Sequence, residues 1–220
     1  AAGSAIVYVA NEPPAPEGEA ILVRKDSPIK SVADLKGKKI AYVKGSNSNY
    51  FAVKALEKAG IKYGEFEPVH LAPADARAAF ETGRVDAWAI WDPYYASAQV
   101  GTDARVLTDG KGIVSNHQFY LAIKSYVGAN TKAINIVLAE LKAVDDWVKA
   151  DPKTAAVQLS TPIGIPAPIL ETALKRQSYG LKPLDDVVIA EQQSIADKFH
   201  ALGLLPKAIN VKEIAWRAGT

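Results

Sequence analysis

The residues best suited to bind a ligand form the polar turn KGSNSNY, Lys44 to Tyr50, between an apolar strand and a helix. This turn contains no Cys, His or acidic residue, so it supplies neither a general acid nor a general base. A helix N-terminus leaves main-chain N–H groups unpaired and carries a positive partial charge, which suits an anion. Ser46 and Asn47 would add side-chain donors. The alternative interpretation is simple capping, because Ser and Asn are preferred N-cap residues.

Two further turns follow predicted strands. LAPADARAAF places Pro73 at the first position of a helix and Asp75 in its first turn, where a carboxylate complements the helix dipole but competes with a bound anion. WAIWDPYY places Trp91 at the carboxyl end of a strand, where ligands bind in open parallel sheets, while Trp88 lies on the opposite face and is expected in the core. Asp92 either caps the next helix or hydrogen bonds to a polar ligand. Because all three turns leave the carboxyl ends of parallel strands, we expect them to converge on one edge.

Another group of polar residues lies at the start of a further predicted strand. His117, Gln118 and Tyr120 lie at the start of QFYLAIK, residues 118–124. If that strand crosses between two lobes, its outward-facing members line a cleft. Otherwise they are ordinary strand residues.

Several chemistries are disfavoured by composition. There is no cysteine, and His70, His117 and His200 share no metal-binding spacing, so we expect no thiolate chemistry, no metal site and no cofactor. A net charge of +2 from 26 scattered basic and 24 acidic residues disfavours nucleic acid as a partner. No apolar run approaches the roughly 20 residues of a membrane-spanning helix.

The element pattern predicts an α/β protein. Strand and helix alternate three times between Lys39 and Asp109, which implies a mainly parallel sheet covered on both faces. Helices are predicted from 47 to 59 and from 73 to 83, and residues after 124 are predicted to be helical. One long helix, 131–149, has an apolar face formed by Ile134, Val137, Leu138, Leu141, Val144 and Val148. This helical block needs a second sheet to cover, to which the chain supplies few strands.

The sequence becomes recognisable at the same turns. VDAWAIWDPYYASA and LAPADARAAF, together with QFYLA and the C-terminal LLPKAINVKEIAW, resemble the periplasmic aliphatic sulfonate-binding proteins of bacterial ABC importers. The resemblance covers nearly the whole chain. These proteins belong to a family whose other branches include nitrate, taurine and pyrimidine-precursor binding proteins.

The resemblance implies a type II periplasmic binding protein fold, with two lobes joined by two crossover strands. The crossovers would be residues 20–25 and 118–124. Lobe II would comprise residues 26–115, and lobe I residues 1–22 and 120–220. Family members begin with a further segment that carries the first strands of lobe I, so we expect the N-terminal part of that lobe to be missing here. An associated or swapped second chain would then complete it.

The resemblance also implies the site. A sulfonate is the anion of a strong acid and needs hydrogen-bond donors but no base. Trp91 and Asp92 match the cleft end of the third strand, and a neutral Gln118 with an aromatic wall at Tyr120 suits an alkyl chain better than an ammonium group. The remaining predicted ligand residues, which cradle the sulfonate, are Gly45, Ser46, Asn47 and Ser48.

The implied function is capture of alkanesulfonates in the periplasm and their delivery to the membrane subunits of an ABC permease, without catalysis. The signal peptide of the exported protein is expected to lie outside this chain. One alternative is a taurine, nitrate or thiamin-precursor binding protein of the same fold. Another is the ligand-sensing domain of a transcription regulator, although no helix-turn-helix segment is visible. An enzyme on this fold is disfavoured by the lack of cysteine and of clustered histidines.

Overall fold

The computed structural model describes residues 3–216, which divide into two compact units. Unit 1 consists of the residues up to Pro14, of His117–Asp151 and of the residues from Ser178 onward, whereas unit 2 consists of Ala15–Asn116 and Pro152–Gln177. The strands are β1 (Ile6–Asn11), β2 (Glu19–Arg24), β3 (Lys39–Tyr42), β4 (Glu67–His70), β5 (Ala87–Trp91), β6 (Ala104–Asp109) and β7 (Phe119–Ile123). The helices are α1 (Asn47–Lys58), α2 (Pro73–Glu81), α3 (Tyr94–Gly101), α4 (Lys124–Ala129), α5 (Thr131–Ala150), α6 (Pro152–Ile163), α7 (Ala167–Arg176) and α8 (Asp186–Ala201). Among the helices within 3–216, none is both long enough and apolar enough to span a bilayer.

Unit 2 is organised around a five-stranded sheet in the order β4-β3-β5-β2-β6. The neighbours β4, β3 and β5 are parallel, which confirms the convergence of their three carboxyl-end turns on one edge. β2 is antiparallel to both β5 and β6, so it is inserted against the direction of the other strands. The sheet is therefore mixed, whereas the alternation of elements predicts only its parallel part.

Helices cover both faces of this sheet. On one face α1 packs Phe51 and Leu56 into a core that includes Ile40 of β3. On the other face Phe80 of α2 packs with Trp88, whose exposed fraction is 1%. Burial of Trp88 confirms the prediction that this tryptophan belongs to the core. The sheet is thereby held rigidly enough to fix the positions of the turns at its edge.

Unit 1 has a smaller sheet, and the α-helices of its described residues are α4, α5 and α8. β1 and β7 form a two-stranded antiparallel pair, which confirms that the chain supplies few strands to a second sheet. Of the predicted helical block, α4, α5 and α8 belong to this unit, but α6 and α7 do not. The predicted apolar face of α5 is only partly buried. Ile134 and Val148 lie in the interior, but Val137 and Val144 are 53% and 51% exposed.

The unit boundaries differ from the predicted lobes. Both predicted crossover strands lie within single units, because β2 is hydrogen-bonded between β5 and β6, and β7 pairs with β1. The chain passes between units at 14–15, 116–117, 151–152 and 177–178. Residues 152–177, predicted for lobe I, group with unit 2 because α7 packs on α3.

The close approach of Gly110 to Pro16 gives a test of packing in unit 2. A Cβ atom added at Gly110 would lie 2.5 Å from the Pro16 main-chain oxygen, which cannot move away as a side chain would. We expect Gly110→Ala to lower the free energy of unfolding by about 1–3 kcal/mol, measured by urea titration. Gly128→Ala is the control, because a Cβ there meets nothing within 4 Å and lies in helix α4. It should leave stability unchanged or raise it by about 0.5 kcal/mol. Equal effects of the two substitutions would contradict this description.

Candidate functional site

The polar turn after β3 is fixed by its own side chains. Ser46 is the N-cap of α1: its Oγ accepts a hydrogen bond from the Asn49 N–H at 3.2 Å and donates to the Val43 carbonyl at 2.6 Å. The Asn49 Oδ1 accepts from the Gly45 N–H at 3.0 Å, and Gly45 has a φ of +74°, which favours glycine. The buried Ser48 hydroxyl lies 2.9 Å from the Ser46 hydroxyl. Capping therefore accounts for part of this polar turn.

Capping does not use all the N–H groups of the turn. The Ser46 N–H donates to the Val43 carbonyl and the Tyr50 N–H to the Ser46 carbonyl. Within residues 3–216, the main-chain N–H groups of Asn47 and Ser48 have no protein acceptor. They lie at the positive end of α1, whose first turn contains no acidic residue. This pair of N–H groups is suited to an anion with several acceptor oxygens.

Asn116, which the sequence analysis does not single out, supports the turn from the side. The Asn47 Nδ2 donates to the Asn116 Oδ1 at 3.1 Å, and the Asn116 Nδ2 donates to the Ala15 carbonyl at 2.9 Å. Asn116 has a φ of +50°, a conformation in which asparagine is enriched among non-glycine residues. The amide of Asn47 is thus held in place by a residue 69 positions away. In the sequence, this support is indicated only by the presence of an asparagine in a loop.

Trp91 lies at the same sheet edge, because β5 is the parallel neighbour of β3. Its ring is partly exposed and meets the Tyr94 ring edge-on, with centroids 6.1 Å apart. Glu19 is the partner of Trp91 in the β2–β5 register and is 1% exposed. Its Oε2 has no hydrogen-bond partner among the described residues, and burial raises the pKa of this carboxyl to about 8. The edge therefore combines aromatic surface with a buried acid whose charged form is disfavoured.

Asp92 is engaged within unit 2. Its side chain is 1% exposed, and its Oδ1 accepts from the Ala96 N–H at 3.0 Å in the first turn of α3. Arg176 donates to both carboxylate oxygens at 3.2 and 3.3 Å, donates to Gln99 at 2.5 Å and stacks over the Tyr95 ring. Burial raises the pKa of Asp92, and the attraction of Arg176 opposes this only in part. Its predicted ligand contact stays a prediction, because the observed partners already explain its position.

Gln118 and Tyr120 lie in unit 1, so the predicted site residues are distributed over both units. Gln118 has an exposed side chain, and its main-chain carbonyl accepts from the Glu12 N–H at 2.9 Å. The Tyr120 hydroxyl donates to the Glu12 Oε1 at 3.0 Å. Burial, and secondarily Glu12, raises the pKa of Tyr120. Tyr120 is therefore better placed to offer its ring than its hydroxyl hydrogen.

Metal-ligand geometry is not seen in the described part of the chain. Within residues 3–216, no three His, Asp or Glu side chains are grouped so as to hold a metal ion. His70 packs edge-on against Tyr42 at the end of β3, and burial lowers its pKa. His117 lies in unit 1, with its Nδ1 2.8 Å from the Glu12 carbonyl and its Nε2 3.2 Å from Glu191.

Solved structures identify the class of protein that this fold represents. The chain matches the crystal structure of the periplasmic aliphatic sulphonate binding protein SsuA from Escherichia coli with a TM-score of 0.92 and 42% identity, over 98% of this chain and 70% of that one. It matches the alkanesulfonate-binding protein SsuA from Xanthomonas axonopodis pv. citri, bound to MOPS, with a TM-score of 0.91 and 38% identity, over 99% and 75% of the two chains. The fold is accordingly the α/β type II periplasmic binding fold.

Sequence comparison identifies the family. Residues 2–155 match the family described as NMT1/THI5 like. The putative aliphatic sulfonates-binding protein of Escherichia coli strain K12 is 43% identical over 218 residues, which are 99% of this chain and 68% of that protein. The chain belongs to the NMT1/THI5-like family.

The contacts of Arg176 predict a pH-dependent loss of stability when it is removed. Arg176→Met leaves the buried Asp92 carboxylate without its cation, so the free energy of unfolding should fall by about 2–4 kcal/mol at pH 7. Without Arg176 the pKa of Asp92 rises further, so the loss should shrink as pH falls and Asp92 becomes protonated. Urea titrations at several pH values measure this. Lys175→Met is the control, since Lys175 pairs with Glu171 on the surface and should cost less than about 1 kcal/mol. A loss that does not change with pH would contradict the role given to Asp92.

Proposed function

We propose that this chain is the ligand-binding part of a periplasmic solute-binding protein that captures alkanesulfonate anions for an ABC importer. The observation in the structure that carries this proposal is the pair of unpartnered N–H groups at Asn47 and Ser48, at the positive end of α1. Two similar solved proteins, each a sulfonate-binding protein by name, support the choice of ligand. The partners would be the sulfonate and the membrane subunits of the permease, and binding would involve no catalysis.

The chemistry of a sulfonate fits the turn. A sulfonate stays ionised at any physiological pH and has three acceptor oxygens, so it requires donors that never need to lose a proton. Main-chain N–H groups and serine hydroxyls meet this requirement. The neighbouring rings of Trp91 and Tyr94 offer apolar surface of the kind that an alkyl chain buries. The same donors would also bind taurine or nitrate, and the ligand series below separates these alternatives.

A calorimetric ligand series tests the proposal. We expect the full-length protein to bind ethanesulfonate, octanesulfonate and MOPS without turnover, and to bind taurine and nitrate more weakly. A sulfonate at about 100 times its Kd should raise the free energy of unfolding by about 2.7 kcal/mol. Ethylammonium chloride is the control, and it should neither bind nor raise the free energy of unfolding. If no sulfonate binds, the proposal is contradicted. If nitrate or taurine binds more tightly than the alkanesulfonates, that anion replaces the alkanesulfonate as the ligand.

A pair of substitutions at Ser46 tests the position of the anion. Asp and Asn have nearly the same shape and both cap helices well, so Ser46→Asp and Ser46→Asn should both preserve α1, although only Asn keeps a donor for the Val43 carbonyl. Circular dichroism of both variants checks that α1 and the fold are retained. Only Asp places a negative charge beside the bound anion. We expect Ser46→Asp to raise the Kd for ethanesulfonate at least about 100-fold and Ser46→Asn to raise it much less. Equal affinities of the two variants would remove this turn from the site.

A further inference from the structure

Unit 1 contains a buried pair of carboxyl groups that the proposed ligand site does not use. Glu12 follows β1 and is 5% exposed, and Asp145 lies on α5 and is 8% exposed. The chain brings these two residues close together: Asn11 and Lys182 exchange main-chain hydrogen bonds at 2.9 Å, which places Glu12 beside Leu181, and the Leu181 N–H donates to Asp145. Neither forms a salt bridge with a lysine or arginine anywhere in the part of the chain that the structure describes. Two neighbouring ionised carboxylates, buried and without a cation, would repel each other strongly.

The surrounding hydrogen bonds show where a proton is needed. The Glu12 Oε1 accepts from the Tyr120 hydroxyl, but its Oε2 is buried and receives no hydrogen bond from any described group. The Asp145 Oδ2 accepts from the Gly180 and Leu181 N–H groups, each at 3.2 Å. A proton on the Glu12 Oε2 would complete the arrangement by being donated to Asp145.

We propose that Glu12 and Asp145 share a single proton, and that this proton holds β1, β7, α5 and the loop at 179–181 together in unit 1. Glu12 thereby acts as a positioning residue for Tyr120. The proposal does not depend on the identity of the ligand. On losing the proton to solvent, the pair becomes two adjacent negative charges, whose repulsion displaces Asp145 from Glu12 and so weakens the hydrogen bonds that Asp145 accepts from the loop.

The pair lies close to the ends of the chain segments that form unit 1, so its protonation can affect those ends. Glu12 lies two residues before the end of the first segment of unit 1, His117 begins the second segment, and Tyr179 is next to the first residue of the third. The Ser178 hydroxyl donates to the Pro14 carbonyl at 2.6 Å, which ties two of these segment ends together. The pair thus lies where the chain enters and leaves unit 1.

The other charged and titratable groups near the pair do not neutralise it. Lys142, one turn from Asp145 on α5, pairs with Asp146. The groups contributed by the other elements around Glu12 are Tyr120 and His117 beside β7, Tyr179 and Lys182 after α7, and Glu191 on α8. Burial of Glu12, and next the neighbouring Asp145, raises the pKa of Glu12 from its ordinary value of 4.5 to about 7.

The sign of the pH effect follows from this direction. The folded protein holds the Glu12 proton more tightly than the unfolded chain does. Its stabilising contribution is therefore complete below about pH 4.5 and is lost as the pH rises through about 7. An opening of the 179–181 loop should follow the same titration.

Nuclear magnetic resonance on the full-length protein measures the proton directly. We expect the Glu12 side-chain carboxyl carbon, assigned from its loss in Glu12→Gln, to titrate with a midpoint near pH 7. Asp145→Asn should shift that midpoint toward the ordinary value, whereas the adjacent exposed Asp146→Asn should not. A Glu12 midpoint near 4.5, or one unmoved by Asp145→Asn, would overturn the proposal.

Hydrogen exchange measures the effect of the proton on the loop. The protection factors of the Gly180 and Leu181 amides should fall about tenfold between about pH 6 and pH 8. In Glu12→Gln they should stay constant, because a glutamine amide can donate to Asp145 and accept from Tyr120 at every pH. Glu140→Gln, an exposed change on the same helix α5, should retain the fall. Constant protection in the wild-type protein would contradict the proposal even if Glu12→Gln failed to fold.

Discussion

In the proposed function, the hydrogen bonds that Ser46 and Asn49 form with their own turn determine what the edge of the large sheet binds. They satisfy the N–H groups of Gly45 and Asn49 internally and hold α1 at a fixed position above β3. They also leave the next two N–H groups, of Asn47 and Ser48, with no acceptor in the described protein. N–H groups at a helix end without a protein acceptor are left to water or a ligand, and an anion bound there would replace the water. In the proposed function, selectivity for anions arises from the backbone itself and does not require a basic side chain.

Local sequence signals predict the elements around this turn well. Helix α1 begins at the predicted residue and ends one residue earlier than expected, because Ser46 caps one end and Gly60 follows the other. Helix α2 begins at Pro73 as predicted. The alternation of strand side chains correctly separates Trp88, which is buried, from Trp91, which is partly exposed. These successes concern residues close together in sequence, where capping and periodicity decide the structure.

Contacts between distant residues could not be predicted in this way. The assignment of α6 and α7 to unit 2 depends on packing such as that of Arg176 with Asp92, which are 84 residues apart. Asn116 supports Asn47 across 69 residues, and Glu12 meets Tyr120 across 108. The sequence around each of these residues contains no pattern that reveals its distant partner. Glu19 and Glu12 resemble ordinary surface acids in the sequence, yet each is buried where its charged form is disfavoured.

The central claim is that the Asn47 and Ser48 N–H groups hold the anion, and amide resonances of the labelled full-length protein test it most directly. On titration with ethanesulfonate, these two resonances should show the largest downfield shifts in the turn, because their protons gain a charged acceptor. The Gly45 and Asn49 resonances should move less, since their protons are already hydrogen-bonded within the turn. Saturable binding of ethanesulfonate that left the Asn47 and Ser48 resonances in place would contradict the account.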